Sequence, residues 1–144
     1  MDTLVICIGN KARGDDGAAR LVGELLEDVV PASCELVSQP QLDVVLAEQV
    51  ADASLVVFVD AQRRDAPAVR VDDVEATVPA SHAHALDPGA LLALVHALYD
   101  ARPRALLVSI AAPDMDHGEG LSETARAASL EAARTVLELV THSS

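Results

Sequence analysis

The sequence predicts an α/β fold: a single domain over residues 1–144, built as a three-layer α/β/α sandwich around a mostly parallel sheet. Three observations carry that expectation. Apolar runs such as Thr3 to Ile8, Leu55 to Val59 and Ala105 to Ile110 hardly alternate with polar residues, as strands covered on both faces do. Stretches with apolar residues at helical spacing lie between them, so strands and helices take turns along the chain. Finally, 144 residues are enough to bury a core, and no repeat, low-complexity tract or linker divides them.

Ten Lys and Arg against 23 Asp and Glu leave a formal net charge of −13. Nucleic acid and anionic membranes need a basic footprint, so neither is expected as a partner. Phe58 and Tyr99 are the only aromatics, which argues against a base-stacking surface and leaves the core to Leu, Val, Ile and Ala. No secretory signal follows Met1, and no apolar run nears the roughly 20 residues of a membrane span. A cytoplasmic protein is expected. Cys7 and Cys34 fall inside predicted strands without C-x-x-C spacing and read as buried, reduced thiols.

The elements follow in order. The Thr3 to Ile8 strand breaks into Gly9-Asn10-Lys11-Ala12-Arg13-Gly14-Asp15-Asp16-Gly17, where Gly9 and Gly14 permit a sharp turn. Ala18, Leu21, Val22, Leu25, Leu26 and Val29 then mark a covering helix, with Pro31 beyond its end. Cys34 to Val37 reads as a short strand, and Pro40 as the start of a helix through Leu42, Val45, Leu46 and Val50. Leu55 to Asp60 is the strongest strand. Residues 63–78 are charged and irregular, with Val69 to Val71 as an edge strand and Arg63 and Arg64 as solvated surface. Asp87 and Pro88 are an N-cap and a first helical residue, and Leu91, Leu92, Val95 and Tyr99 the buried face behind them. Arg104 to Ile110 is the last strand. Ser122 caps a final helix with its stripe on Ala125, Ala128, Ala132, Val136 and Leu139.

Chemistry concentrates in the carboxylates at strand ends. Asp15 and Asp16 have a structural reading, as N-cap and dipole complement worth about 1 to 2 kcal/mol. They also have a functional one, since open α/β sheets bind ligands at the carboxyl ends of their strands. Asp60, at the end of a second strand, reaches the same edge if the strands are parallel. Phosphate is disfavoured: the G-x-G-x-x-G spacing is missing and two carboxylates stand where bare N–H groups are needed. A cation or an activated water suits the pair better. His82 and His84, just before a helix, read either as loop residues or as imidazole donors to a metal. His96 and His142 are assigned to structure. Asp114, Asp116, His117 and Glu119 read as a solvated loop, because the order required of a calcium loop is absent.

Four segments together resemble one family, the hydrogenase maturation endopeptidases that trim the C-terminus of the nickel-iron hydrogenase large subunit. Ile8-Gly9-Asn10 with Asp15-Asp16-Gly17 is similar to the family's G-N loop and acidic triplet; Phe58-Val59-Asp60-Ala61 to its strand ending in D-A; His84-Ala85-Leu86 to its H-x-L; and Gly118-Glu119-Gly120-Leu121-Ser122 to the G-x-G-L-S that leads into its last helix. Their shared order along nearly the whole chain is the specific feature. The resemblance implies that Asp16, Asp60 and His84 contact nickel, with His82 as the alternative histidine, and that Asp16 and Asp60 are catalytic. It implies nickel delivered within the substrate, the large-subunit precursor, and no resident organic cofactor. Cleavage would run through the metal or through water activated by the two carboxylates. Ser38-Gln39-Pro40-Gln41 departs from the family's D-G-G-T, implicated in substrate recognition, and Ala18-Ala19 from its V-G. Two other classes stay open on the residues alone: a small-ligand or nucleotide-binding module, kept alive by Lys11 and Arg13, and an inactive interaction protein of the same fold.

Overall fold

The computed structural model describes residues 2–77, 86–115 and 120–142. Its five strands are β1 (Thr3–Ile8), β2 (Cys34–Gln39), β3 (Leu55–Gln62), β4 (Val69–Asp73) and β5 (Arg104–Ala111). They form one sheet in the order β2-β1-β3-β5-β4, parallel except for β4, which runs antiparallel along β5 at the edge. The helices are α1 (Ala18–Leu26), α2 (Ala47–Asp52), α3 (Pro88–Tyr99) and α4 (Glu123–His142). Among them, none is long and apolar enough to cross a membrane.

The central strands carry uninterrupted apolar runs, over residues 4–8 and 55–59, because each face has its own cover. Val5, Cys7, Val57 and Val59 join the cluster that includes Val22 and Leu26 of α1 and Ala128, Ala132 and Val136 of α4. The alternate residues Leu4, Ile6, Val56 and Phe58 pack with Leu46, Val50, Leu91, Leu92 and Val95 on the α2 and α3 side. Period-two alternation thus sorts one chain segment into two cores. Small residues on both partners, Ala18 and Ala19 against Ala128 and Ala132, allow α1 and α4 to lie close.

This topology fixes where a ligand site belongs. From β1 the chain moves outward to β2, then crosses back over β1 to β3 on its other side. The chain leaves β1 toward β2 on one side and leaves β3 toward β5 and β4 on the other, so the connections diverge above the carboxyl ends of β1 and β3, the switch point at which open α/β sheets bind ligands.

Several local expectations are corrected. The α1 helix ends at Leu26, with Glu27 and Asp28 at its unfavourable negative end, and Val29 is 55% exposed. Pro40 opens no helix; the Asp43 side chain instead accepts from Val45 N–H (3.1 Å) and caps a 3-10 turn, Val44–Leu46, that feeds the short α2. Val45 is therefore 71% exposed and outside the core. Tyr99, in the last turn of α3, is half exposed. Of the two free thiols, Cys34 is only half-buried, whereas burial pushes the Cys7 thiol up to about 12. Asp87 caps α3 as expected, accepting from Ala90 N–H at 2.8 Å, with Pro88 at the first position.

Candidate active site

The loop after β1 folds on itself before α1 begins. Asn10 organises it: its side-chain oxygen accepts from Ala12 N–H (2.9 Å), its carbonyl accepts from Arg13 N–H (3.1 Å), and its own N–H donates to Asp16 Oδ2 (3.1 Å). Two 3-10 turns over Lys11–Gly17 meet at a kink where Arg13 has φ −116°, ψ 48° and Gly14 has φ 54°, ψ −122°. Positive φ at 14 is the conformation that favours glycine. Gly9 is required for space, because a Cβ there would run into the Asp16 carbonyl oxygen. The Gly9 N–H donates to Gln39 C=O (3.0 Å), and Arg20 Nη1 donates to Gly9 C=O (3.2 Å), so the strand end is tied on both sides.

The two aspartates of this loop part ways. Asp15 is completely buried and caps nothing in α1, whose N-cap is Gly17. Its carboxylate accepts from Asp114 N–H (2.8 Å), Ser122 N–H (2.6 Å) and Ser122 Oγ (2.7 Å), and its own N–H donates to Asp114 C=O (2.8 Å). The N-cap reading is thereby corrected: Asp15 joins the first loop to the approach to α4. Ser122 is the expected cap of that helix, its Oγ accepting from Ala125 N–H at 3.1 Å. Asp16, by contrast, is only partly buried.

Asp60 arrives from the neighbouring strand. It pairs in register with Ile8, the last residue of β1, and with Ser109 of β5. Burial pushes its carboxyl up to about 7, the negative charge of Asp16 adds to that, and a hydrogen bond with the Ala61 backbone opposes it. The structure therefore brings Asp16 and Asp60 within electrostatic reach of each other. Behind them Ser109 is buried and held by Arg64, whose Nη1 donates to Ser109 Oγ (3.0 Å) and Nη2 to Ser109 C=O (3.1 Å). Arg64 is thus a half-buried brace for the end of β5 and not the solvated residue its charged neighbourhood suggested.

His84 and His82 lie outside the described residues, as do Asp116, His117 and Glu119. Among the described residues no three His, Cys, Asp or Glu side chains gather as a metal site. Carboxylate oxygens with an imidazole suit a divalent first-row metal. His96, in the last turn of α3, meets Arg102 at 3.3 Å, and His142 closes α4 near Arg104, at the opposite edge of the sheet. Both are remote from the pair.

The loop is a poor phosphate cradle. The N–H groups of Asn10, Ala12, Arg13 and Asp15 are all spent within the protein, and Lys11 Nζ is paired with Glu24. Beside the loop a cleft of about 340 Å³ opens, with Leu21 and Leu121 among its walls and Arg126 at its rim.

No protein-family model matches the sequence, and no curated protein does. Solved structures match along almost its whole length. The hydrogenase maturating endopeptidase HybD from E. coli superposes with a TM-score of 0.81 at 22% identity, covering 99% of this chain and 94% of that one. The chain has the HybD fold. The [NiFe] hydrogenase maturation protease HybD from Thermococcus kodakarensis follows at 0.76 and 24% identity, over 97% and 99% of the two chains. HycI, a maturation protease from T. kodakarensis KOD1, reaches 0.76 at 22% identity over 97% and 92%.

Proximity of Asp60 to Asp16 follows from parallel strands, and the sequence pattern anticipates it. The Asp15 connection carries no such signal, because its partners lie 99 and 107 residues away.

Proposed function

We propose that the chain is an endopeptidase that removes the C-terminal extension from the nickel-loaded large-subunit precursor of a nickel-iron hydrogenase, acting in the cytoplasm. The observation that carries this reading is the meeting of Asp16 and Asp60 at the switch point of a fold shared with proteins described as hydrogenase maturation endopeptidases. Two carboxylates here come at a cost in stability, which a purely structural role would not require.

In this reading Asp16 and Asp60, together with His84 or else His82, contact the nickel that the precursor carries. The metal is part of the substrate, and no organic cofactor is resident. Two routes to cleavage fit the residues. The substrate's metal polarises the scissile carbonyl or acidifies a water. Alternatively, the carboxylate pair shares one proton, so that one member takes a proton from the attacking water while the other protonates the leaving amine. A carboxyl raised to about 7 supports the second route, because Asp60 is then close to half-protonated at neutral pH.

Mass spectrometry of the matched precursor, nickel-loaded or nickel-free, tests the reading. Release of a C-terminal peptide from the loaded form alone is expected; no release from either form would refute it. His84→Ala should abolish the distinction between the two forms. Intact nickel discrimination in that variant would transfer the role to His82.

A further inference from the structure

We propose that Asp15 is the positioning residue of this site: its carboxylate latches the first loop to the approach of α4 and thereby sets the aim of Asp16. The inference rests on the peptidase reading above and adds to it a residue that touches neither substrate nor metal.

The kink at Arg13 and Gly14 interrupts any helical hydrogen bonding that would fix the loop from within. Residue 16 is gripped by the start of the loop instead. Its carbonyl abuts Gly9 with no room for a Cβ, and its carboxylate accepts from Asn10 N–H. The residue before it is fixed through both main chain and side chain: Asp15 N–H to Asp114 C=O, and the Asp15 carboxylate to Asp114 N–H, Ser122 N–H and Ser122 Oγ. Gly17, on the other side, sits against the Cα of Lys11.

Burial makes the latch strict. A carboxylate with no solvent exposure is tolerated only when its oxygens are well supplied with donors, and Asp15 has three. Two are main-chain N–H groups, which cannot rotate away. An amide in place of the carboxylate would turn an NH₂ group toward at least one of these donors, so the latch distinguishes Asp from Asn although their shapes agree. With the latch broken, the Asp15-Asp16 peptide gains freedom and the Asp16 carboxylate loses its fixed relation to Asp60. Misplacement by about 1 Å at a catalytic group costs about 100-fold in rate.

Steady-state kinetics on the nickel-loaded precursor and amide hydrogen exchange together test the proposal. Asp15→Asn should lower kcat about 100-fold with KM little changed. It should also speed exchange of the Asn10 amide, the donor to Asp16, while β1 and β3 amides keep their protection. Ser122→Ala should give a milder loss and Ser122→Thr should restore kcat, which keeps the test alive if Asp15→Asn does not fold. Ser129→Ala serves as the structural control: its buried hydroxyl donates to Ala18 C=O (3.3 Å) and Ala125 C=O (2.7 Å), so the variant should melt earlier and keep kcat. A folded Asp15→Asn with kcat within twofold of wild type, or a loss confined to KM, would overturn the proposal. Should wild type cut no precursor at all, the peptidase reading fails, and the Asn10 exchange still decides whether Asp15 holds the loop.

Discussion

Asp15 and Asp16 are adjacent, chemically identical and opposite in situation. Behind the loop, Asp15 is sealed from water and saturated with donors from the far end of the chain. In front of it, Asp16 accepts from the Asn10 N–H and has the carboxylate of Asp60 as a neighbour. The contrast separates an acid that the fold saturates with donors from one that it leaves partly open. Structure satisfies its buried charge; a site leaves charge unsatisfied where a substrate will meet it.

The largest expected effect breaks the working side. Asp16→Asn or Asp60→Asn keeps shape and removes the negative charge, so processing of the nickel-loaded precursor should fall at least about 1,000-fold, on the scale seen when a central catalytic group is lost. Circular dichroism and melting should show a folded protein in both. Processing at the wild-type rate in either variant would remove that residue from the site.

A smaller effect should come from the wall between the two sides. Gly9→Ala places a methyl group against the Asp16 carbonyl, main chain against main chain, with no flexible side chain to yield. Relief requires the loop to move as a unit. We expect a loss of about 1 to 3 kcal/mol in denaturant unfolding, in the range of overpacking. Processing should drop about 10- to 100-fold. A variant that is destabilised yet fully active would show that the loop can shift without disturbing Asp16.

The same division explains what the sequence revealed. Thr3–Ile8 was legible to the residue, since a strand covered on both faces writes an uninterrupted apolar run, and Asp87-Pro88 marked the start of α3 through chemistry confined to one turn. Asp60 was legible as a strand end, and its meeting with Asp16 followed from parallel strands. Periodicity failed where a helix stopped early: Val29 and Val45 keep the spacing but lie beyond or outside the covered turns. The roles of Asp15 and Arg64 were not legible, because each is defined by partners that only the fold brings near. His84 and His82 lie outside the described residues, so their place in the site rests on the resemblance and the tests above.

The smallest effect concerns the cost of burying Asp60 beside the charge of Asp16. Its folded carboxyl is raised to about 7 from an ordinary value of 3.8, so the native state holds the proton more tightly than the unfolded chain. Stability contributed by Asp60 therefore rises as pH falls from above 7 toward 4, and the ionised form costs stability at pH 8. Each pKa unit corresponds to about 1.4 kcal/mol, and partial exposure reduces the sum, which gives about 1 to 3 kcal/mol. Asp60→Asn cannot ionise. It should be the more stable protein at pH 8, by about 2 to 4 °C in Tm per kcal/mol, and that advantage should shrink as pH drops through 7 toward 4. Asp15→Asn should lose stability, because the amide disrupts a carboxylate supplied with three donors. If Asp60→Asn gained nothing at pH 8, the Asp60 carboxylate would be as well supported as that of Asp15, and the division between the two sides of the loop would not hold.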